Sequence, residues 1–518
     1  MSIRGFKSLV FFQERENMNK NSICSLLIVL VFSVFSMSLA QNTLIVARAA
    51  DTTGLDPHTQ TSFASFRLLE LIYEPLVTLD ADLNIVPALA ESWAFSDNAT
   101  TLTMNLRQNV VFHDGSSFGS EDVKASFERL LDEETGAAGR KNFTSIESID
   151  TPDDHTVVFH LALSDVPILA AMTSTGAAIV SSEDVAAGDF SSKTNGTGPF
   201  VLEQWIPEEN TILKANTSWW GDGPFIDAIE MRVIPDEASI MAALRAGQVD
   251  FALLNDPLIA TLLIDDKNIV LNRATALAYH VLQLNASRAP MDSLAFRQAL
   301  SCAIDRQEVL NTASLGYGTV TGPLTIPAYK LDSSELFCYQ QNKDKAKELL
   351  ATVDLPDNYK LEIIVASSEP PTALSEAQNI QAQLANIGID SEIVSLELSV
   401  YIDRWLAADF DAAVALNGGR PDPYTMYARY WTKDGNLQKV ANYIDDTLDS
   451  LMAQGRAETD PAKRLEIFSK FQKHLVEMSP WIWLYNDFEY TASQPYVKGF
   501  IPMSTDSLYY LSKVKIER

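Results

Sequence analysis

The sequence predicts a mixed α/β (α+β) fold that is divided into more than one lobe. Short segments that alternate apolar and polar residues, as strands do, recur between amphipathic segments of helical period along the chain. The chain has 518 residues, of which 478 (518 − 40) remain after an export signal of forty residues. That length is enough for two or three domains of about 100–200 residues each, with sizeable cores.

The export signal is predicted at residues 1–40. Lys20 supplies a positive charge, residues 24–35 are apolar, and residues 38–40 read Ser-Leu-Ala, a small-residue cleavage site. Met18 lies just upstream and is a second possible start of the chain. Because the apolar run is shorter than the roughly 20 residues that a membrane-spanning helix needs, we predict a cleaved signal peptide and an exported, soluble protein.

The chain is strongly acidic. Its formal net charge is −29, and loss of residues 1–40, which carry four basic and two acidic residues, changes it to −31 (−29 − 4 + 2). Such a charge disfavours nucleic acid and anionic membranes as partners. It otherwise indicates general solubility and says little about a ligand.

Two cysteines, Cys302 and Cys338, remain after cleavage of the signal. They could form a disulfide in an oxidising compartment, but the sequence leaves their separation in space open. Without a CxxC or histidine spacing they predict no zinc site.

The elements of the first part alternate between strand and helix. A strand is predicted at residues 44–47 and a helix at about residues 62–72. Residues 102–106 alternate as a strand does, and His-Asp-Gly at 113–115 forms a tight turn. Ser120 is predicted to cap the helix that follows.

A glycine-built turn opens the most informative stretch of the chain. Gly196, Gly198 and Pro199 form this turn, which leads into a strand at residues 200–205. Residues 219–223, Trp-Trp-Gly-Asp-Gly, then make an aromatic corner.

The elements after that corner continue the alternation. A strand at residues 229–234 ends at Pro235, Asp236 is predicted to cap the next helix, and Gly247 ends that helix. Further strands are predicted at residues 279–285, 361–365, 390–394 and 480–486, and helices at residues 296–311, 343–350, 375–387 and 459–478. This second run of strands and helices indicates a second lobe.

Several motifs carry a family resemblance. Gly-Thr-Gly-Pro at 196–199, Trp-Trp-Gly at 219–221 and Ala-Leu-Arg-Ala-Gly-Gln-Val-Asp at 243–250, together with residues 88–132 and 296–311, are the segments concerned. These segments resemble the extracellular solute-binding proteins of family 5, the dipeptide-, oligopeptide- and nickel-binding receptors of ATP-binding-cassette (ABC) importers. The resemblance extends along nearly the whole mature chain.

The resemblance implies a two-lobed periplasmic binding protein of type II with a hinge, in the large form that has an extra subdomain. In the family pattern, lobe I comprises residues 41–76, 197–277 and 497–518, the extra subdomain residues 77–196, and lobe II residues 278–496. Such a receptor works in the periplasm as a monomer without a cofactor. It captures a solute between its lobes and delivers the solute to an ABC permease in the inner membrane.

Residues 417–431, NGGRPDPYTMYARYW, are the leading candidate for a ligand site. Their two prolines remove backbone donors and fix φ, so we predict a rigid loop that is neither helix nor strand. In peptide-binding members of the family an aspartate in the corresponding loop pairs with the ligand's α-ammonium group, and the match here is Asp422. Alternatively, Asp422 caps residues 424–427. Arg420 could bind a ligand carboxylate or pair with a neighbouring acid.

Aromatic side chains in and near this segment could line an apolar pocket or belong to the core. They are Tyr424, Tyr427 and Trp431, with Trp405 and Trp483 as weaker candidates. Thr61 and Ser62 lie in a segment, residues 59–63, that resembles the ligand-facing stretch of the first lobe in the family.

Most catalytic motifs are missing from the sequence. It contains no HExxH pair or GxxxxGK[ST] phosphate loop, and its six histidines are dispersed. We therefore predict a receptor and not an enzyme, with a secreted hydrolase as the alternative that substrate turnover would reveal.

The favoured ligand is a short peptide, because Asp422 suits an ammonium group. An oligosaccharide, an opine, glutathione or a nickel chelate are the alternatives within the same class of receptor. Residues 391–431 contain no histidine, which disfavours direct ligation of a metal there. We predict no metal site.

Overall fold

Sheets of different sizes organise the chain. The computed structural model describes residues 42–190, 193–367 and 370–518. Within these ranges the strands form sheets of seven, five and four strands and two sheets of two strands. The predicted signal peptide and the alternative start at Met18 lie outside the described residues.

The strands are numbered in chain order. They are β1 (Thr43–Arg48), β2 (Val77–Leu79), β3 (Ile85–Pro87), β4 (Ala90–Phe95), β5 (Thr101–Leu106), β6 (Ile146–Asp153), β7 (Thr156–Leu161), β8 (Phe200–Ile206), β9 (Asn210–Ala215), β10 (Ala228–Val233), β11 (Phe251–Leu254), β12 (Val270–Thr275), β13 (Tyr279–Leu284), β14 (Leu361–Ala366), β15 (Ser391–Leu396), β16 (Ala412–Asn417), β17 (Trp481–Tyr485), β18 (Phe488–Ser493), β19 (Val497–Lys498) and β20 (Lys515–Ile516).

The α-helices are Phe63–Leu69, Ser120–Leu131, Ile168–Ala171, Ser182–Ala187, Glu237–Arg245, Pro257–Thr261, Leu294–Ala303, Arg306–Ala313, Lys343–Leu350, Ala373–Ala385, Leu398–Ala407, Pro423–Trp431, Gln438–Ala441, Asp446–Ala457 and Pro461–Met478. Within the described ranges, no helix combines the length and the apolar character required to cross a bilayer.

The seven-stranded sheet has the order β12-β18-β11-β1-β10-β9-β8. Its central strands β1 and β11 are parallel, with Val46 opposite Phe251 and Ala47 opposite Ala252. Successive residues of a strand point to opposite faces. Val46 and Phe251 accordingly pack into one hydrophobic core, and Ala47 and Ala252 into another. Both faces of this sheet are therefore covered.

The five-stranded sheet has the order β15-β14-β16-β13-β17. β14 is parallel to β15 and β16, whereas β13 is antiparallel to β16 and β17. All six residues of β13 are buried. Leu282 faces the core that contains Ile380 of helix Ala373–Ala385, and Val281 faces the core that contains Tyr427 of helix Pro423–Trp431. The candidate segment therefore covers one face of this sheet.

The four-stranded sheet, β4-β5-β7-β6, is antiparallel throughout. Leu102, Met104 and Leu106 of β5 are buried against a core that includes Val123 and Phe127 of helix Ser120–Leu131. The predicted strand at residues 102–106 is confirmed.

The chain passes twice between the seven-stranded and the five-stranded sheets, at neighbouring places. Residues 276–278 join β12 to β13, and residues 486–487 join β17 to β18. The side-chain amide of Asn486 donates to the backbone oxygens of Ala276 and Ala278, so the two crossings lie side by side. The predicted lobe II ended at residue 496, but β18 pairs with β11 and β12. We therefore favour an end near residue 487, and the other lobe boundaries stay predictions.

The glycine-built turn at residues 196–199 lies against Ile72, shortly after helix Phe63–Leu69. The backbone N–H of Gly198 donates to the oxygen of Ile72 at 2.9 Å. A Cβ added to Gly196 would lie 2.0 Å from the same oxygen, and one added to Gly198 would lie 2.6 Å from it. Only glycine fits at either position, which explains the motif in physical terms.

The aromatic corner is held by a buried carboxylate. Trp219 Nε1 donates to Glu74 Oε1 at 3.0 Å, and Trp220 Nε1 donates to Glu74 Oε2 at 2.9 Å. Burial raises the pKa of Glu74 to about 7, although the two indole donors act in the opposite direction.

Two helix starts differ from prediction. Gly119, not Ser120, is the residue before helix Ser120–Leu131, so Ser120 is its first residue and not its cap. The predicted helix at residues 296–311 is two helices, because the side chain of Asp305 accepts hydrogen bonds from the backbone of Gln307 and Glu308 and starts a new helix. Asp236 caps its helix as predicted, through the backbone N–H of Ser239.

Cys302 and Cys338 form a disulfide, which the sequence left open. It connects the end region of helix Leu294–Ala303 to the segment before helix Lys343–Leu350.

Candidate functional site

A cavity of about 690 Å³ is the best candidate for a binding site. It is lined by segments that belong to or adjoin both large sheets and by segments that pack with the four-stranded sheet. Its size is typical of sites for small ligands. The lining segments are residues 58–70, 78–79, 138–142, 170–176, 277–278, 418–421, 503–509 and the single residues Thr425 and Glu489.

Two of the predicted site residues line this cavity. They are Thr61 and Arg420, and both are exposed. Ser62 follows Thr61 directly and precedes helix Phe63–Leu69, where its backbone oxygen accepts from the N–H of Ser65 and Phe66. Arg420 Nη1 donates to the backbone oxygen of its neighbour Gly419 at 3.2 Å. The other six predicted residues are not among those that line the cavity.

The segment 417–431 is mostly helical, which corrects the prediction of a loop. Asn417 ends β16, and a helix spans Pro423–Trp431. Pro423 is the first helical residue, where the missing N–H of proline leaves no helix bond unmade and its fixed φ suits the helix. Pro423 therefore starts a helix here instead of preventing one, and the loop, which contains Pro421, is limited to residues 418–421.

The carboxylate of Asp422 forms hydrogen bonds and an ion pair within the protein. Its Oδ1 accepts from the backbone N–H of Tyr424 and Thr425 at 2.9 and 3.1 Å, and its Oδ2 lies 2.7 Å from Nη2 of Arg464. Burial alone would lower the pKa of Arg464, but Asp422, followed by Tyr329, outweighs burial and raises it. Asp422 therefore has the capping role that the sequence left as the alternative, together with a buried ion pair.

The predicted aromatic residues belong to the core under the five-stranded sheet. Tyr427, Trp431 and Trp483 are buried together, with Trp405 and Tyr424 packed at the edge of the same cluster. Trp483 Nε1 donates to the hydroxyl of Tyr427 at 2.9 Å, and Trp405 Nε1 donates to Gln283 at 2.5 Å. Core packing, which the sequence analysis left as an equal alternative, accounts for these residues.

A charged wall of the cavity was missed by the sequence analysis. Arg67 and Glu70 come from helix Phe63–Leu69 and its end, Asp506 from the segment between β19 and β20, and Glu489 from β18. Arg67 and Glu70 are spaced by three at the end of a mostly apolar helical segment, so their shared face was a signal in the sequence. Glu489 carried no such signal, because its position depends on which sheet β18 joins.

The acids of this wall differ in how they are satisfied. Asp506 forms an ion pair with Arg67, whose Nε also donates to the Asp506 backbone oxygen at 3.3 Å. Glu70 accepts from the hydroxyl of Ser507 at 2.6 Å and the N–H of Leu508 at 2.5 Å, and burial raises its pKa to about 7. Burial also raises the pKa of Glu489, against the opposing effect of Arg67.

The wall from the five-stranded sheet is positive. Arg420 is open to the cavity, but partial desolvation by the surrounding protein lowers its pKa, and the neighbouring guanidinium of Arg429 acts in the same direction. Arg429 Nη2 donates to the backbone oxygen of Gly418 at 3.0 Å, which fixes that second positive charge under the loop. Within the described part of the chain, the Arg420 guanidinium donates only to the backbone oxygen of Gly419. Its planar group is therefore available to bind a ligand carboxylate.

His58 also lines the cavity but has a structural role. Its Nε2 lies 2.9 Å from the oxygen of Ala178, and its Nδ1 lies 2.8 Å from Nη1 of Arg129. Arg129 can only donate, so Nδ1 accepts and Nε2 carries the proton. Burial lowers the pKa of His58 to about 4, so the ring is neutral at ordinary pH. Among the described residues no group of three or more His, Cys, Asp or Glu side chains is arranged to hold a metal ion.

The sequence is similar to a known protein family and to named relatives. The profile of the family described as "Bacterial extracellular solute-binding proteins, family 5 Middle" matches residues 84–438. The chain is 28% identical over 505 residues to the "Probable D,D-dipeptide-binding periplasmic protein DdpA" of Escherichia coli (strain K12), covering 93% of this chain and 95% of that protein.

Solved structures are similar over nearly the full length. The periplasmic binding protein DppA from Helicobacter pylori in complex with the peptide STSA is 27% identical, with a TM-score of 0.71 and coverage of 92% of this chain and 98% of that chain. HbpA2 from Haemophilus parasuis is 24% identical, with a TM-score of 0.84 and coverage of 92% and 100%. The predicted fold class, a two-lobed periplasmic binding protein of type II, is confirmed by these likenesses.

Proposed function

The chain belongs to family 5 of the bacterial extracellular solute-binding proteins, and from this premise we propose that its ligand is a short peptide. The single observation that carries the proposal is the cavity of about 690 Å³, which has carboxylates on one wall and the Arg420 guanidinium on the other. A free peptide has an ammonium group at one end and a carboxylate at the other, so it complements both walls. Charge-assisted hydrogen bonds of this kind are about twice as strong as neutral ones.

The proposed receptor works in the periplasm and delivers its ligand to an ABC permease of the inner membrane. The lining comes from segments of both large sheets, so a ligand bound there contacts both sides of the crossings at residues 276–278 and 486–487. A ligand that touches both sides favours the closed arrangement over the open one, and that difference in affinity drives closure. We propose a monomer, because one chain supplies both walls.

The names of relatives support a peptide ligand. The Escherichia coli relative is named for binding D,D-dipeptides, and the Helicobacter pylori structure contains a peptide. Family membership also indicates a binding protein, so we propose that the ligand leaves the receptor chemically unchanged.

The sugar alternative loses its main support. That hypothesis depended on Trp405, Trp431 and Trp483 as stacking surfaces, and these three side chains pack in the core cluster under the five-stranded sheet. Glutathione and opines carry carboxylates and remain in the test panel, with a nickel–histidine complex and oligosaccharides.

Thermal unfolding of the mature protein tests the proposal. A ligand at a hundred times its dissociation constant adds about 2.7 kcal/mol to the free energy of unfolding. We expect di- or tripeptides to raise the midpoint, and chromatography of the released ligand to recover the peptide intact. A shift with sugars or chelates and none with any peptide would overturn the peptide proposal, and steady hydrolysis of the peptide would overturn the receptor role.

A further inference from the structure

One carboxylate of the charged wall has no partner of its own. Glu489 is on β18, between β11 and β12, and opposite Ala274 of β12. Within the part of the chain that the structure describes, the Glu489 carboxylate forms no hydrogen bond and no ion pair. Its neighbours on the wall do, because Asp506 pairs with Arg67 and Glu70 accepts from Ser507 and Leu508.

The surroundings of Glu489 make that carboxylate a receptor for positive charge. It is half-buried and lines the cavity. Of the charges that act on it, Arg67 is attractive and Asp487 is repulsive, and Arg67 has its ion pair with Asp506 and not with Glu489. A desolvated charge without a partner is costly, and a ligand cation that pairs with it offsets that cost. The geometry is unlike that of Asp422, whose two oxygens are both occupied inside the protein.

Arg420 is placed to bind the end of the ligand that does not contact Glu489. Arg420 extends from the loop after β16 of the five-stranded sheet, whereas Glu489 is part of the seven-stranded sheet. Both line the same cavity. A ligand with opposite charges at its two ends can satisfy both residues in one direction only, because the reverse direction places like charges together.

We propose that Glu489 and Arg420 determine specificity, with Glu489 binding the α-ammonium group of the peptide and Arg420 its α-carboxylate. The inference rests on the peptide ligand proposed above. It adds which residue binds each end of the peptide. It replaces Asp422 as the anchor of the ammonium group. It also predicts the direction in which the peptide lies, with its amino end at the seven-stranded sheet.

Paired peptides and variants test this assignment. Titration calorimetry of the mature protein would use trialanine, N-acetyl-trialanine and trialanine amide, or the same three forms of whichever peptide in the panel binds most tightly. Glu489→Gln should weaken binding of the free peptide by roughly ten- to a hundredfold, the usual size of one charge-assisted bond. It should leave binding of the acetylated peptide unchanged. Arg420→Gln should weaken the free peptide similarly and leave the amide unchanged.

Two further variants control for effects of a substitution on folding. Glu147→Gln changes a carboxylate on an exposed strand position outside the cavity, and it should alter no affinity. Glu489→Asp keeps the charge and should keep most of the preference for the free amino end. Each comparison is a ratio between two peptides on one folded variant, so a general loss of stability cancels.

The outcomes separate the two proposals. If peptides bind the wild-type protein but Glu489→Gln changes the free and acetylated peptides by the same factor, the assignment of Glu489 is overturned and the peptide receptor stands. If no peptide in any form binds the wild-type protein, the proposed ligand class is overturned, and the assignment falls with it.

Discussion

Nε2 of His280 lies 2.7 Å from a carboxylate oxygen of Asp487, and this contact links β13, directly after the first crossing between the large sheets, to the second crossing at residues 486–487. Nδ1 of His280 lies 2.9 Å from Oε1 of Glu376 on helix Ala373–Ala385, and the ring stacks on Tyr485. A carboxylate therefore lies close to each ring nitrogen, and two negative charges favour the protonated ring over the neutral one. Burial alone would lower the pKa of His280, but Glu376 and Asp487 outweigh burial and raise it to about 10.

The first prediction concerns the pH dependence of stability. His280 binds its proton more tightly in the folded state than in the unfolded chain, where the pKa is about 6.5. Its contribution to the free energy of unfolding is therefore fully present below pH 6.5 and is lost as the pH rises towards about 10. Urea unfolding of the wild-type protein and of His280→Gln between pH 6 and about 10 should show a smaller decline with pH in the variant.

A surface histidine provides the control for this prediction. His160 is half-buried at the surface and pairs with Asp150 on the four-stranded sheet. His160→Gln should keep the wild-type slope. Equal slopes for wild type and His280→Gln would contradict a protonated His280 at the crossings.

The second prediction concerns the glycine-built turn. A Cβ at position 196 would lie 2.0 Å from the oxygen of Ile72 and 2.7 Å from its carbonyl carbon. Both are backbone atoms and cannot move aside as a side chain can, so Gly196→Ala should lower the free energy of unfolding by about 1–3 kcal/mol. Denaturant unfolding measures the loss. Gly418→Ala is the matched control, because no atom lies within 4 Å of a Cβ there, and an equal loss in both variants would contradict the steric reason.

The third prediction concerns the disulfide. Cys302 and Cys338 are 36 residues apart in the sequence, and closure of a loop of that length in the unfolded chain is worth about 3–4 kcal/mol. The double variant Cys302→Ser/Cys338→Ser should unfold at a lower urea concentration than the oxidised wild-type protein. Reduction of the wild-type protein should produce a similar shift, whereas it should leave the double variant unchanged. An unchanged midpoint after reduction would show that the bond adds no stability.

Local patterns in the sequence predicted most of the strands and several helix caps. The alternation at residues 102–106 and the cap at Asp236 are properties of a few adjacent residues, and the structure has both. The break at Asp305 was missed because residues 296–311 resemble one helical segment of the family, while the capping side chain of Asp305 starts a second helix. The family resemblance supplied the architecture, which local patterns alone could not.

The binding site was predicted less well than the fold. Aromatic residues near a proline-rich segment are equally typical of a pocket and of a core, and only the packing of the five-stranded sheet shows that Tyr427 and Trp483 are core. Glu489 reaches the cavity because β18 leaves the five-stranded sheet at residues 486–487 and joins the seven-stranded one. Such a contact depends on residues more than two hundred positions apart, and no local pattern predicts it.

The fourth prediction separates a structural Asp422 from an anchor for the ligand. Asp422 holds the start of helix Pro423–Trp431 and pairs with Arg464 in the interior. Asp422→Asn keeps an acceptor for the cap but leaves the buried guanidinium of Arg464 without its charge partner. Loss of one partner of a buried ion pair costs about 3–5 kcal/mol, so denaturant unfolding should show a loss of that order.

The ligand preference of the same variant decides between the two roles. If Asp422 acts only within the protein, Asp422→Asn should weaken binding of a free peptide and of its N-acetylated form by the same factor, because any effect comes through the helix and its loop. Selective weakening of the free peptide, with the acetylated form unchanged, would instead assign the ammonium group to Asp422 and would require its carboxylate to leave Arg464 when ligand binds. The affinities of the free and the N-acetylated peptide should therefore be measured on Asp422→Asn and on Glu489→Gln. The carboxylate that contacts the ammonium group is the one whose loss removes the preference for the free peptide.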